Sequence, residues 1–200
     1  LAKYKIAKVS LPGGCAIGSR PINFHLDALK KMGAKIKIKD GYIFASAKKG
    51  LKGCTIKFPI ISVGATENIL IAACFAKGET KLRNCALEPE IDDLIYFLKK
   101  LGCKIKRAGK RSINVFGVKE LKSTVHKIIF DRIEAGTYII AAALTKGRLK
   151  IKNINSKLML TEISLLNKMG VDIIKKKNYI IAGRLKKLKN INIMTKPYPG

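Results

Sequence analysis

The sequence has no tryptophan, only two histidines and 13 acidic residues among its 200 positions. No His-Glu-x-x-His, Ser-His-Asp order or Walker-type phosphate loop occurs, which argues against the enzyme classes that depend on them. The five cysteines are odd in number and form no Cys-x-x-Cys pair, which disfavours a disulfide framework and a zinc site and fits a reducing cytoplasm. We therefore expect no metal and no cofactor, and a cytoplasmic location.

Long apolar runs are also missing. The longest candidates, 68–76 and 138–144, are too short for the roughly 20 residues that span a bilayer. We therefore expect no membrane partner. The first residues lack the apolar core of a signal peptide, and both termini suggest a piece of a longer protein.

Positive charge, in contrast, is abundant: 41 Lys and Arg residues give a net charge of +28. Of these, 34 are Lys and only 7 are Arg, although nucleic-acid recognition relies heavily on the planar, bidentate Arg fork. Hydrophobic residues make up 48% of the chain, which is typical of a globular domain. The Lys excess, alongside abundant Ile and Asn, indicates a drift in amino-acid usage, and we expect no nucleic-acid partner.

An internal repeat organises the chain. The segments Lys31–Ile36, Lys100–Ile105 and Lys168–Ile173 resemble one another, and their glycines, Gly33, Gly102 and Gly170, are 69 and 68 residues apart. This period is too long for a solenoid unit and indicates a duplicated subdomain.

The repeat predicts an αβαββ unit. The expected helices are Pro21–Met32, Thr66–Ala76, a helix opening at Glu88-Pro89, Glu134–Thr145 and Leu158–Met169. The expected strands are Lys35–Lys39, Tyr42–Ala45, Thr80–Arg83, Cys103–Arg107, Ser112–Phe116, Arg148–Ile151, Val171–Ile174 and Tyr179–Ala182, with further strands leading in at Cys54–Phe58 and Val125–Phe130. This mixture predicts an α/β class with helix-covered sheets, and a domain boundary near Phe130.

The sharpest local feature is the segment Leu11–Pro21, in which Gly13, Gly14 and Gly18 flank Cys15 between a strand and a helix. Such glycines allow a mobile loop and an accessible thiol, and Arg20 could bind an anion beside it. A glycine turn with an incidental cysteine is the alternative. The residues alone leave both interpretations open.

Two further segments open helices one repeat apart. Ser62-Val63-Gly64 could offer backbone N–H groups to a phosphate, although ordinary capping by Ser62 is the simpler interpretation. The same two alternatives apply at Asp131-Arg132. His25 lies one turn into the helix after Arg20, on the side of the cysteine loop, whereas His126 and the other four cysteines are expected to be structural.

Taken together, the cysteine loop, Ser62–Thr66, Glu88–Ile91 and Asp131–Thr137 closely resemble the UDP-N-acetylglucosamine enolpyruvyl transferases in order and spacing. The resemblance covers essentially the whole chain. It implies an inside-out α/β barrel of two domains, each built from three βαβαββ units. Residues 1–129 would form most of the cysteine-loop domain, and residues 130–200 one unit of the second domain.

The resemblance also implies a reaction. The enolpyruvyl group of phosphoenolpyruvate passes to the 3′-hydroxyl of UDP-N-acetylglucosamine by addition and elimination, releasing phosphate, as the first committed step of peptidoglycan synthesis. Cys15 would be the general acid and the target of fosfomycin, and Arg20 would contact both substrates. The implied substrate-binding residues are Arg20, Pro21, Ile22, Asn23, Phe24, His25, Ile61, Ser62, Val63 and Gly64.

Three positions depart from the family pattern: Asn23 replaces a common Asp, Ile60 a usual Lys and Leu87 a common Arg. Other family site residues would lie outside residues 1–200, so we expect this chain to be inactive alone. A catalytically impaired nucleotide-sugar-binding relative is the first alternative, and a basic nucleic-acid-binding module is the second. The oligomeric state is not predicted.

Overall fold

A computed structural model describes residues 1–13, 21–184 and 187–199. The chain divides into two compact units, Leu1–His126 and Lys127–Gly200. Each unit has its own hydrophobic core.

The first unit contains seven strands and three helices among its described residues, in the order β1 (Ile6–Ser10), α1 (Asn23–Lys31), β2 (Lys35–Lys39), β3 (Tyr42–Ser46), β4 (Thr55–Lys57), α2 (Val63–Ala73), β5 (Glu79–Arg83), α3 (Pro89–Lys100), β6 (Lys104–Gly109) and β7 (Ser112–Phe116). The second unit contains α4 (Arg132–Leu144), β8 (Arg148–Lys152), a 3₁₀ turn (Ser156–Met159), α5 (Leu160–Lys168), β9 (Asp172–Lys175) and β10 (Tyr179–Gly183).

Sheet pairing confirms the predicted repeat. The sheets contain the strand orders β1-β3-β2, β5-β7-β6 and β8-β10-β9. The middle strand in each is the second strand of the hairpin. It pairs on one side with the first strand of the hairpin and on the other side with the strand that precedes the second helix of the unit. All of these pairings are antiparallel. The lead-in strand β4 adds to the middle sheet as a parallel neighbour of β5. Three similar segments of the sequence therefore adopt the same local fold.

The repeated glycines explain why each helix ends where it does. Gly33, Gly102 and Gly170 all have left-handed backbone angles, with φ of 96°, 102° and 96°. In each case the glycine N–H bonds the carbonyl three residues back, and the following N–H bonds the carbonyl five residues back. This double bond is the Schellman motif, which favours glycine at its left-handed position. The motif turns the chain directly into the first strand of each hairpin.

The predicted apolar faces point into the core. On α2, Ile69, Leu70 and Ala73 are fully buried. On α3, Ile91, Ile95 and Leu98 are buried, whereas Leu94 is only partly covered. The second unit buries Ile139, Ile163 and Ile180 around Met159. Packing of these helix faces against the sheets positions the helix ends described below.

The strand expected at Val125–Phe130 is wrong, because this segment is not in a strand. No neighbouring strand edge among the described residues pairs with it, and Lys100 Nζ instead donates to the Val125 carbonyl at 2.8 Å. Val125 and Ile128 are 89% and 75% exposed. An apolar, β-branched run forms a strand only where an edge is available to receive its backbone hydrogen bonds.

Candidate active site

Cys15 and Arg20 lie outside the described residues, so their geometry stays a prediction. The chain leads to this loop from β1, and Leu11 N donates to the Gly41 carbonyl at 2.8 Å. On the other side of the loop, Pro21 lies just before α1. The flanking elements are thus the strand and the helix expected from the sequence.

The predicted nucleotide-binding stretch forms the entry to α1. Ile22 is the N-cap residue, and its carbonyl accepts from His25 N at 3.0 Å and from Leu26 N at 3.1 Å. Pro21 and Asn23 are exposed, whereas Phe24 packs partly against the core of the unit. The stretch therefore combines polar and backbone groups at the surface with an apolar anchor beneath them.

The second predicted segment, Ile61–Gly64, forms the start of α2. Ser62 is the N-cap, and its Oγ accepts from Ala65 N at 3.2 Å. Because an α-helix leaves its first N–H groups without intrahelical acceptors, those of Val63 and Gly64 remain available to a ligand in the part of the chain that the structure describes. Capping and anion binding are thus compatible here, since Ser62 occupies only one of the donors.

A buried hydroxyl holds this helix start in place. Thr66 is fully buried; its Oγ1 donates to the Ser62 carbonyl at 2.7 Å and accepts from Ala86 N at 3.1 Å. Ala86 lies 20 residues further along, just before α3, and is also fully buried. Thr66 therefore links the loop at Ser62 to the segment that leads into α3.

His25 and Gly64, predicted from separate motifs, come together. A Cβ built at Gly64 would lie 3.6 Å from His25 Cε1 and 4.0 Å from its Nε2. The other ring nitrogen, Nδ1, lies 3.0 Å from Asn68 Nδ2. Burial lowers the pKa of the His25 imidazole. The starts of α1 and α2 thus place a histidine of lowered pKa beside the N–H groups of Val63 and Gly64, which have no acceptor among the described residues.

Asn68 was missed by the sequence analysis. It lies four residues after Gly64 on α2, and residues at that spacing share one face of a helix. This spacing was the available signal. The partner, His25, is 43 residues away, and nothing local in the sequence indicates that contact.

A carboxyl group lies near the same helix start. The pKa of Glu67 is raised, first by burial and then by the neighbouring charges of Glu90 and Glu88. Glu88 and Pro89 open α3, as predicted, with Glu90 in its first turn. These three carboxyl groups make this side of the site acidic. An anionic ligand would therefore be repelled here and would approach from the starts of α1 and α2.

The four described thiols are poorly suited to be the reactive thiol that the sequence predicts at Cys15. Cys74, Cys85 and Cys103 are buried, and Cys54 is partly buried. Burial raises the pKa of Cys54, against an opposing effect of Lys31, and raises that of Cys85 to about 11. A hydrogen bond between Cys74 and Cys103 raises the pKa of the first thiol and lowers that of the second, which stays 4% exposed. The expected structural role of these cysteines agrees with this burial.

The predicted segment at Asp131-Arg132 lies in the second unit, and both side chains make structural contacts there. Asp131 caps α4 by accepting from Ile133 N at 2.8 Å and from Glu134 N at 3.0 Å. Arg132 Nη1 lies 3.1 Å from Glu162 Oε1. In the first unit, His126 bonds Asp93 at 3.1 Å and contacts the rings of Tyr96 and Phe97, which supports its expected structural role.

Much of the positive charge lies elsewhere. Within the first unit, a cavity of about 770 Å³ is lined by five lysines, Lys3, Lys5, Lys49, Lys77 and Lys119, with Glu120. It borders the turn after α2, about 15 Å from the start of that helix at 1.5 Å per residue. Ile60, two residues before the Ser62 cap of α2, is 52% exposed at the other end of that helix. Total charge therefore does not mark the candidate site.

Among residues 1–13, 21–184 and 187–199, no cluster of three or more His, Cys, Asp and Glu side chains could hold a metal ion. The described helices include none that is both long and apolar enough to cross a bilayer.

Sequence comparison places this arrangement among known proteins. The family model described as EPSP synthase (3-phosphoshikimate 1-carboxyvinyltransferase) matches residues 1–200. The chain is 59% identical to the UDP-N-acetylglucosamine 1-carboxyvinyltransferase of Pelagibacter ubique and 50% identical to that of Endomicrobium trichonymphae. All of this chain is aligned in both cases, against 48% of each relative, so the chain spans about half the length of the curated relatives it matches.

Solved structures show the same fold. The enolpyruvyl transferase NikO from Streptomyces tendae matches with a TM-score of 0.78 and 24% identity, over 93% of this chain and 45% of that one. EPSP synthase from Acinetobacter baumannii matches with a TM-score of 0.69 and 22% identity, over 97% of this chain and 46% of the other. These likenesses confirm the predicted α/β fold of the enolpyruvyl transferase type.

Proposed function

This chain belongs to the EPSP synthase family, and from that premise we propose that its parent protein transfers the enolpyruvyl group of phosphoenolpyruvate to the 3′-hydroxyl of UDP-N-acetylglucosamine. Phosphate is released, and the product enters peptidoglycan synthesis. The observation that carries this proposal is the meeting of His25 with the open N-terminal turn of α2 at Gly64. Because the chain spans 48% of its relatives, we assign the activity to the protein that contains the whole family fold.

The start of α2 suits the diphosphate of the sugar nucleotide. Val63 and Gly64 supply backbone N–H donors at the positive end of the helix dipole, and both features favour phosphate oxygens. Gly64 has no side chain of its own to cover this backbone, and a Cβ built there would already lie 3.6 Å from His25 Cε1. The uridine would lie along Pro21–Phe24, at the adjacent start of α1.

The chemistry itself is assigned to the cysteine loop. Cys15 would protonate the methylene carbon of phosphoenolpyruvate while the sugar hydroxyl adds to the neighbouring carbon, which forms a tetrahedral intermediate. Loss of a proton from the methyl group and departure of phosphate then complete the transfer. Arg20 would neutralise the carboxylate and phosphate of the substrate. A thiol with this task requires a reducing compartment, so we place the reaction in the cytoplasm.

We also propose that residues 1–129 form most of the cysteine-loop domain and residues 130–200 form one unit of the second domain. Asp131 and Arg132 would then follow the crossing between the domains. The contacts of Arg132 with Glu162 and with the ring of Tyr198, 5.1 Å away, support a structural role for it within its own unit.

The family resemblance also implies that the S–H group of Cys15 adds across the double bond of phosphoenolpyruvate, with sulfur on the phosphate-bearing carbon, and this covalent adduct in the protein of full family length is the test. Incubation with phosphoenolpyruvate and UDP-N-acetylglucosamine should release phosphate, and mass spectrometry should find the adduct on Cys15. Cys15→Ala should abolish the adduct, whereas Cys54→Ala, at the described thiol that is only partly buried, should preserve it. An adduct on another cysteine would disprove the mechanism. Sugar-nucleotide binding without phosphate release would instead identify the impaired relative.

A further inference from the structure

The contact between His25 and Asn68 favours one position for the proton on the imidazole ring. Asn68 Nδ2 lies 3.0 Å from His25 Nδ1. An amide nitrogen only donates hydrogen bonds, so with the Asn68 amide in this orientation Nδ1 accepts and does not carry the proton. The neutral ring therefore has its single N–H at Nε2. Asn68 is exposed on α2 and contacts the ring at Nδ1, which leaves Nε2 free of this contact.

The protonated nitrogen is on the edge of the ring that faces the start of α2. The positions of Cε1 and Nε2, 3.6 Å and 4.0 Å from a Cβ built at Gly64, put this edge in contact distance of that residue. The backbone donors of Val63 and Gly64 emerge at the same place. Three N–H groups, two from the backbone and one from the ring, can thus converge on one anion.

We propose that Asn68 is a positioning residue that holds His25 in the Nε2–H tautomer, so that the ring donates to the phosphate that the start of α2 binds. This inference rests on the proposed function, because that function supplies the diphosphate. His25 then serves as an uncharged donor. Its hydrogen bond does not depend on protonation of the ring, so it persists across the neutral pH range.

The charged surroundings are consistent with a neutral ring. The charged side chains on α1 and on the elements packed against it, α2 and β2, are Asp27, Lys30, Lys31, Glu67, Lys35, Lys37 and Lys39. Asp27 is paired with Lys30 at 3.4 Å. Burial alone accounts for the lowered pKa of His25 among the described residues. Protonation of Nδ1 would also set two N–H groups against each other at Asn68, which further opposes the charged form.

The decisive variant is Asn68→Asp, which replaces the donor that faces Nδ1 by an acceptor. Nitrogen-15 NMR of the histidines at about pH 8 should show Nε2 protonated in the unmodified chain and Nδ1 protonated in the variant. This measurement needs no ligand. A protonated Nδ1 in the unmodified chain would overturn the inference, whatever the protein binds.

Binding then tests the role of the tautomer. With UDP-N-acetylglucosamine as the probe and the protein of full family length, the unmodified protein should bind with little pH dependence between about pH 6 and about pH 8. Asn68→Asp should bind about tenfold to a hundredfold more weakly at about pH 8, because a bare Nε2 faces the phosphate. Affinity should recover near pH 6, where the carboxylate favours the doubly protonated ring.

Two controls separate this role from structural damage. Asn167→Asp, an exposed position on α5, makes the same charge change in the second unit and should alter neither measurement. Asn68→Leu removes the donor without adding an acceptor and should show a smaller loss with no new pH dependence. Equal pH profiles for Asn68→Asp and the unmodified protein would overturn the inference while leaving the proposed function intact. Absence of binding in the unmodified protein would overturn both, even with the expected tautomer.

Discussion

Thr66→Val removes the hydroxyl that holds the start of α2 and changes little else. Valine has nearly the same size and helix propensity, so neither a cavity nor a propensity difference contributes. The Ser62 carbonyl keeps its bond from Thr66 N at 3.1 Å. The Ala86 N–H, however, loses its acceptor at a position with no exposure to water. An unsatisfied buried N–H costs about 1 to 3 kcal/mol, and the lost hydroxyl bond adds to this. We therefore expect the variant to lose about 2 to 3 kcal/mol of unfolding free energy.

The matched control is Thr66→Ser. It keeps the hydroxyl and deletes one buried methyl group, which costs about 1 kcal/mol. Urea denaturation followed by far-ultraviolet circular dichroism measures both variants. Because the chain has two compact units, a probe specific to the first unit is needed as well. Cys85, fully buried and adjacent to Ala86, provides it.

A thiol reagent reaches Cys85 only when this region opens. A loss of 2 to 3 kcal/mol should raise the open population, and with it the labelling rate of Cys85, about 30- to 150-fold. Thr66→Ser should raise the rate only about fivefold. If the valine variant were as stable as the serine variant, losing the Thr66 hydroxyl would cost no more than losing its methyl group. That result would refute the assigned role of Thr66.

Gly64→Ala should keep or raise stability by up to about 1 kcal/mol, since its methyl group meets only ordinary contact at 3.6 Å. It should nonetheless weaken UDP-N-acetylglucosamine binding at least about tenfold by covering the backbone donors, and calorimetric affinity equal to the unmodified protein would contradict this. Glu67→Gln should stabilise the chain at about pH 7 by a few tenths of a kcal/mol, allowing for solvent screening. Because the pKa of Glu67 is raised in the folded state, its carboxyl favours folding only at low pH and loses that contribution as pH rises through the folded-state pKa. The gain in melting temperature from Glu67→Gln should therefore vanish at about pH 4. Asp27→Asn, at an exposed site, serves as its control. Iodoacetamide should label Cys15 before the other four thiols at neutral pH, as peptide mapping of the native chain would show.

Regular elements of the fold were predictable because their causes are local. The Schellman turn at Gly33 requires only a helix followed by a residue that tolerates positive φ, and the same applies at Gly102 and Gly170. The observed helix starts differ from the expected ones where a capping residue sets the start. The helix expected from Thr66 begins three residues earlier, at Val63, because Ser62 caps it. The helix expected over Leu158–Met169 begins as a 3₁₀ turn at Ser156, where Asn155 accepts from Lys157 N.

The candidate site was predictable only in parts. Sequence alone identified the segments at His25 and Ser62–Gly64, because their residue types and their places at helix starts carry a local signal. It also determined the threefold repeat, the hairpins and the family. The tertiary structure decided which of these parts meet. Asn68 reaches His25 across 43 residues, and Thr66 reaches Ala86 across 20. It also decided that Cys54–Phe58 contains a strand whereas Val125–Phe130 does not, because pairing depends on an available edge. Such contacts arise from the packing of helices and sheets, which brings together residues whose own sequence surroundings contain no trace of one another.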